Sequence, residues 1–92
     1  MNKVIYFKGE NCGVCQQLYP KVLAHFKAKY PALEFETIEV QKKPDLAAQH
    51  GVFTVPVLVV LFEGKEHFRF VRNFATRDID EKLERTYGLM FG

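Results

Sequence analysis

Apolar positions recur along this chain with two different periods, and the switches between them mark out seven elements. Residues 3–8 hold the run Val4-Ile5-Tyr6-Phe7, closed by Gly9. A short β-branched and aromatic run of this kind predicts a buried strand. From about Cys12 the spacing becomes helical: Cys15, Leu18, Tyr19, Val22, Leu23, Phe26 and Tyr30 fall at three- and four-residue steps. They predict a helix over 12–29 with one buried face. Lys21, Lys27 and Lys29 sit late in it, toward the negative end of its dipole. Pro20 removes a hydrogen bond inside this helix and predicts a bend, and Pro31 helps to end it. Residues 33–40 predict a second strand, but both alternating sets mix apolar and polar side chains, so the pattern leaves its buried face open. Pro44 suits the first turn, and Gly51 the C-terminal stop, of a short helix over 45–50.

The most apolar run spans 55–62 and contains four valines, with Pro56 near its start. It predicts a central strand, because proline is tolerated where a strand begins. Glu63-Gly64-Lys65 predicts a tight turn and 67–72 a returning edge strand, in which Phe68 and Phe70 alternate imperfectly with their neighbours. Thr76 is the expected cap of a last helix, with Asp78 and Asp80 in its first turn and Ile79, Leu83 and Tyr87 as its buried stripe. Leu89, Met90 and Phe91 then follow Gly88 as an apolar tail. The order is βαβαββα. A strand–helix–strand opening implies a right-handed crossover with parallel pairing, and the late hairpin must be antiparallel. The expected architecture is α/β: a mixed four-stranded sheet with helices on both faces.

Composition narrows the setting. Ninety-two residues suit a single domain over 1–92, and 48% hydrophobic residues with nine Phe and four Tyr suffice for a compact core. Thirteen basic and eleven acidic residues are interspersed and give +2. Nothing in that balance points to a nucleic-acid partner. The apolar opening is too short for a signal peptide or a membrane span. The reading is therefore a soluble, cytoplasmic monomer with no membrane partner, in a compartment where lasting structural disulfides are unusual.

The chemistry is concentrated in Glu10-Asn11-Cys12-Gly13-Val14-Cys15, which holds both cysteines, three apart, at a strand-to-helix junction. The first N–H groups of a helix lack intrahelical partners, and the dipole adds partial positive charge there. A thiolate is favoured at such a place, and the thiolate is the nucleophile. Side chains three apart on a helix are neighbours. The position suggests a reversible dithiol/disulfide pair. Two other readings stand beside it. A fixed staple would close a very small loop and remove little unfolded-state entropy. Half of a metal site would normally need a second ligand pair, and His25, His50 and His67 form none by spacing.

Taken together, these residues resemble the thioredoxin family over nearly the whole chain. A first strand leads into Cys12-Gly13-Val14-Cys15 at a helix start, Pro20 lies five residues past the second cysteine, and Val55-Pro56 after Gly51-Val52-Phe53-Thr54 resembles the family's cis-proline loop. Phe62-Glu63-Gly64-Lys65 matches the hairpin that follows. The chain lacks the extra N-terminal strand and helix of full-length members and is close to the minimal version of the fold. The resemblance implies a thiol–disulfide oxidoreductase that reduces protein disulfides without a cofactor. Cys12 would be the exposed nucleophile and Cys15 the recessed resolving thiol. Val55, Pro56, Asn11, Gly13 and Val14 would form the substrate-binding surface, with Val55 offering backbone groups to an extended segment as in strand addition. The partners implied are disulfide-containing proteins and a reductase or thiol donor.

The sequence departs from the family in four places. Asn11 replaces an aromatic residue just before the first cysteine. Val14 replaces the proline usual between the cysteines. Arg72 or Asn73 stands where the docking surface usually has a glycine. Tyr6 stands where the family buries a carboxylic acid thought to assist proton transfer at the second cysteine, and a phenol is too weak an acid to replace it near neutral pH. Two other functions are weighed. A glutaredoxin-like, glutathione-dependent enzyme suits the length, but no glycine pair and aspartate follow the hairpin. A non-catalytic metal or iron–sulfur module would use the cysteines as ligands.

Overall fold

The computed structural model describes residues 1–92. Its elements are β1 (Lys3–Lys8), α1 (Gly13–Lys29), β2 (Glu34–Glu39), α2 (Pro44–Gln49), β3 (Val57–Phe62), β4 (Lys65–Val71) and α3 (Thr76–Phe91). The sheet order is β2-β1-β3-β4. β1 runs parallel to β2 and antiparallel to β3, and β3 pairs antiparallel with β4. The expected mixed sheet with helices on both faces is what forms.

Two apolar clusters show how the strands divide their side chains. Val4 and Tyr6 of β1, with Leu58, Val60 and Phe62 of β3, face α1 and α3 and meet Val22, Phe26, Ile79 and Leu83. Ile5, Phe7, Val57, Val59 and Leu61 face the other way, with Ala47 of α2 and Val52. All six residues of β3 are buried, which is why that run is apolar without alternation. β2 serves both clusters, because Phe35 packs on the α1 face and Ile38 on the α2 face. A strand with one apolar anchor on each side gives no clean alternation, and this explains its ambiguity in sequence.

Element ends differ from expectation for local reasons. β3 starts at Val57, because Val55 and Pro56 belong to the preceding turn. β4 starts at Lys65, paired directly with Phe62. Glu63 and Gly64 both have positive φ, 56° and 79°, the two-residue turn whose twist matches a hairpin. The imperfect alternation in β4 is a register shift: Val60 opposes Phe68 and Leu61 opposes Glu66, leaving His67 as the extra residue. α3 is capped at Ala75, not Thr76. The Ala75 N–H donates to the Asp78 carboxylate at 2.7 Å, the reach-back half of a capping box. The supposed apolar tail is helical through Phe91. Phe91 packs on Tyr87 at 4.8 Å and on Phe62 at 6.3 Å between ring centroids, and these contacts carry the helix across Gly88. No helix is long and apolar enough to cross a membrane.

α1 is held to α3 by a polar cluster centred on Asp80. Its Oδ1 accepts from Tyr30 Oη at 2.5 Å and lies 2.8 Å from His25 Nε2, while Lys29 Nζ is 3.2 Å from Oδ2. Burial alone would raise the Asp80 pKa, but the hydrogen bonds from Tyr30, His25 and Lys29 win and lower it. A depressed carboxylate contributes stability above its unfolded pKa, and that contribution is lost as pH falls through the folded value. Stability should therefore drop as the medium passes below about pH 4. Asp80→Asn should remove that share of the acid dependence. Urea midpoints measured from pH 3 to 7 on both proteins check this, and parallel curves would refute it.

Candidate active site

The site forms where β1 ends and α1 begins. Cys12 is the N-cap of α1, extended at φ −105° and ψ 102°, rather than part of the first turn as expected from sequence. Its carbonyl accepts the first helical bond from Gln16 at 3.1 Å, and its sulfur accepts the Cys15 N–H at 3.1 Å. A cysteine thus does what serine or aspartate usually does at a helix start, satisfying an orphan donor with its side chain. No acidic residue lies in the first turn of α1, so nothing there opposes negative charge on that sulfur.

Cys12 and Cys15 are joined as a disulfide with their Cα atoms 5.2 Å apart. Their environments differ. Cys15 is 0% exposed, whereas Cys12 reaches solvent. Gly13 and Val14 lie on the surface between them, and Asn11 is exposed just before them.

The loop before β3 completes the site. The Val55–Pro56 peptide is cis. A Cβ built on Gly9 would lie 3.1 Å from Val55 Cγ2 and 3.6 Å from Cys12 Cβ, so Val55 and Cys12 flank one spot, and a side chain at Gly9 would press on Val55. The Val55 N–H makes no hydrogen bond within the chain. The Val55 carbonyl, in contrast, is already engaged: Arg72 Nη1 donates to it at 3.0 Å and to Thr54 Oγ1 at 3.2 Å. Arg72 also donates its backbone N–H to Pro56 O at 2.8 Å. It adopts φ 57°, a left-handed conformation that costs a non-glycine residue about 1–2 kcal/mol. Of the two candidates for the family's glycine position, Arg72 is thus the one with glycine-like backbone geometry. Arg69 holds the same loop from its other end, donating to the carbonyls of His50 and Gly51.

Beneath the pair lies Tyr6, fully buried, whose hydroxyl donates to the Cys15 carbonyl at 3.0 Å. Burial, with a smaller contribution from Tyr19, pushes its pKa up to about 12. It remains a neutral hydrogen-bond donor at any ordinary pH.

Two contributors escaped the sequence reading. Phe53 is 88% exposed and lines a hollow of about 180 Å³ with Val40, Val52, Thr54 and Val55. Its signal was an aromatic residue between Gly51 and Pro56 that no strand pattern claims. It supplies apolar surface on the loop side of a site whose motif side has Asn11. Arg72 is legible in sequence only as one of two residues at the family's glycine position, and nothing local in its sequence predicts a bond to residue 55.

The sequence profile of the family described as Thioredoxin matches residues 1–85. The chain belongs to the thioredoxin family. Its relatives include the thioredoxin-like protein YdfQ of Bacillus subtilis, 31% identical over 96% of this chain and 78% of that protein. Another is the SPbeta prophage-derived thioredoxin-like protein YosR of the same organism, 28% identical over 89% of this chain and 95% of that protein. Among solved structures, thioredoxin 1 from Thermosipho africanus TCF52B superposes with a TM-score of 0.86 at 33% identity, covering 98% of this chain and 99% of that one. Family membership and the paired cysteines at a helix start make this thioredoxin-family protein a thiol–disulfide oxidoreductase. Neither the glutathione-dependent reading nor the metal-module reading is favoured by these likenesses.

Proposed function

We propose that the chain works as one domain that reduces disulfides in other proteins and is returned to its dithiol form by a reductase or thiol donor of the cytoplasm. The observation that carries this is the asymmetry of the pair: Cys12 caps α1 with solvent access while Cys15 is sealed beneath it. In the dithiol form the Cys15 N–H favours Cys12 as thiolate. Cys12 Sγ attacks one sulfur of the substrate disulfide, forming a mixed disulfide, and the other substrate sulfur leaves as a thiolate that takes up a proton. Cys15, once deprotonated, attacks Cys12 Sγ. The Cys12–Cys15 bond closes, and the substrate leaves reduced by two electrons.

The free N–H of Val55 offers one strand-like bond to an extended substrate, with Val55, Pro56, Gly13, Val14, Asn11 and Phe53 around it. Arg72 stiffens this platform through the Val55 carbonyl, so the pairing available to substrate is narrower than the resemblance implied.

The test is insulin disulfide reduction, with dithiothreitol and separately with glutathione plus its reductase as donor. Turnover with dithiothreitol and little with the glutathione couple is the expected result. Fast turnover of a small glutathionylated substrate by that couple would move the protein to the glutaredoxin class.

A further inference from the structure

Two hollows adjoin on the α1 side of the site. One, of about 180 Å³, is lined by Val14, Gln17, Leu18, Lys21, Arg72 and Asn73, with Phe74 at its end. The other, of about 670 Å³, shares Leu18, Lys21 and Phe74 and continues past Ala24 and His25 to the start of α3 at Ala75 and Thr76. They make one groove leading away from the cysteine motif between α1 and the β4–α3 connection. No carboxylate lines either hollow. Two cations do, and neither Lys21 nor Arg72 forms an ion pair. Arg72 uses Nη1 on Val55 and Thr54, which fixes its guanidinium at the groove mouth with its other N–H groups free. Leu18, Phe74, Ala24 and Ala75 give the floor an apolar character.

We propose that this groove receives an acidic, extended segment flanking the substrate's disulfide, with Lys21 and Arg72 as its specificity-determining residues. The proposal rests on the thiol–disulfide reading above and names the substrate class for it. A segment whose cysteine is held at Cys12 and which crosses Val14 enters the groove directly. Its acidic side chains then meet two unpaired cations, and an apolar side chain between them meets Leu18 and Phe74. Charges at such a rim act chiefly on encounter and register, and they weaken with salt. Because exposed pairs are individually weak, the expected preference is about fivefold, spread over both cations.

The experiment uses disulfide peptides identical except for the residues flanking the cysteine, Glu-Leu-Glu, Gln-Leu-Gln or Lys-Leu-Lys, placed on either side in turn. Second-order rate constants for their reduction are measured at low and high salt. The acidic peptide should react about fivefold faster than the neutral one, the lysine peptide slowest, and the spread should collapse in about 0.5 M salt. Lys21→Gln with Arg72→Gln should bring the acidic-to-neutral ratio close to one, and Lys21→Glu alone, whose new charge cancels that of Arg72, should do the same. Equal rates for the three peptides in a preparation that reduces insulin would overturn this proposal alone. So would a preference that survives the double substitution. A preparation inert toward insulin and all peptides would overturn both readings.

Discussion

Cys12→Ser should reduce insulin turnover to the uncatalysed background, whereas Cys15→Ser should retain a single attack and stall on a mixed disulfide. The two substitutions are chemically alike, so any difference between them reports position. At residue 12 the sulfur is accessible and receives the Cys15 N–H at 3.1 Å, the arrangement that favours a thiolate at a helix start. At residue 15 the sulfur is sealed and has no direct path to a protein substrate. After Cys12 has reacted, Cys15 is its only cysteine neighbour, because the chain has two. Removing it leaves the covalent intermediate without an internal resolving thiol. A non-reducing gel of Cys15→Ser mixed with an oxidised substrate should show an adduct that disappears on adding dithiothreitol. Alkylation of the reduced wild-type protein at mildly acidic pH should label Cys12 well before Cys15. Preferential labelling of Cys15, or an adduct formed by Cys12→Ser instead, would reverse the assignment.

The sequence made much of this site legible because its main signals are local. The cysteine pair, the helix that follows it and the proline loop each occupy a few consecutive residues. Their proximity follows once β1 and β3 are known to be neighbours. The stripes of α1 and α3 were equally plain, since each helix buries one face of Val22 and Phe26 or Ile79 and Leu83. What escaped depends on contacts far apart in the chain. Arg72 becomes part of the platform only because β4 returns beside β3 and places its side chain 3.0 Å from the Val55 carbonyl. β2 hid its faces because each has its own apolar partner. Phe91 looks like a tail in sequence because Gly88 is a helix-stop residue by propensity, and the packing on Tyr87 and Phe62 outweighs that weak preference.

Tyr6→Asp should accelerate resolution of the mixed disulfide, with the largest gain at the acid end of the working range. The wild-type phenol lies beneath α1 and donates to the Cys15 carbonyl at 3.0 Å. With its pKa pushed up to about 12, it cannot accept the Cys15 proton near neutrality. A carboxylate in the same sealed position would have its own pKa raised by burial, toward the range where a general base works best. Such help is typically worth roughly 10²–10⁴-fold, and solvent entering on the exposed Cys12 side would recover part of that. The expected gain in single-turnover resolution is about 10- to 100-fold at pH 6, fading toward pH 9 as hydroxide becomes able to take the proton directly. The substitution removes a large buried ring and should cost about 3–5 kcal/mol, a large share of the roughly 5–15 kcal/mol typical of a domain. Circular dichroism must therefore accompany the kinetics, and Tyr6→Glu, which fills more of the space, is the second variant. Tyr6→Phe is the control: it deletes one buried hydrogen bond, costs about 1 kcal/mol and should leave the pH profile of resolution unchanged. If the carboxylate variants fold yet resolve no faster at any pH, the proton has another route. Glu10, exposed beside the motif, and Glu39, paired with Lys42 at 3.2 Å at the end of β2, are then the side chains to replace next.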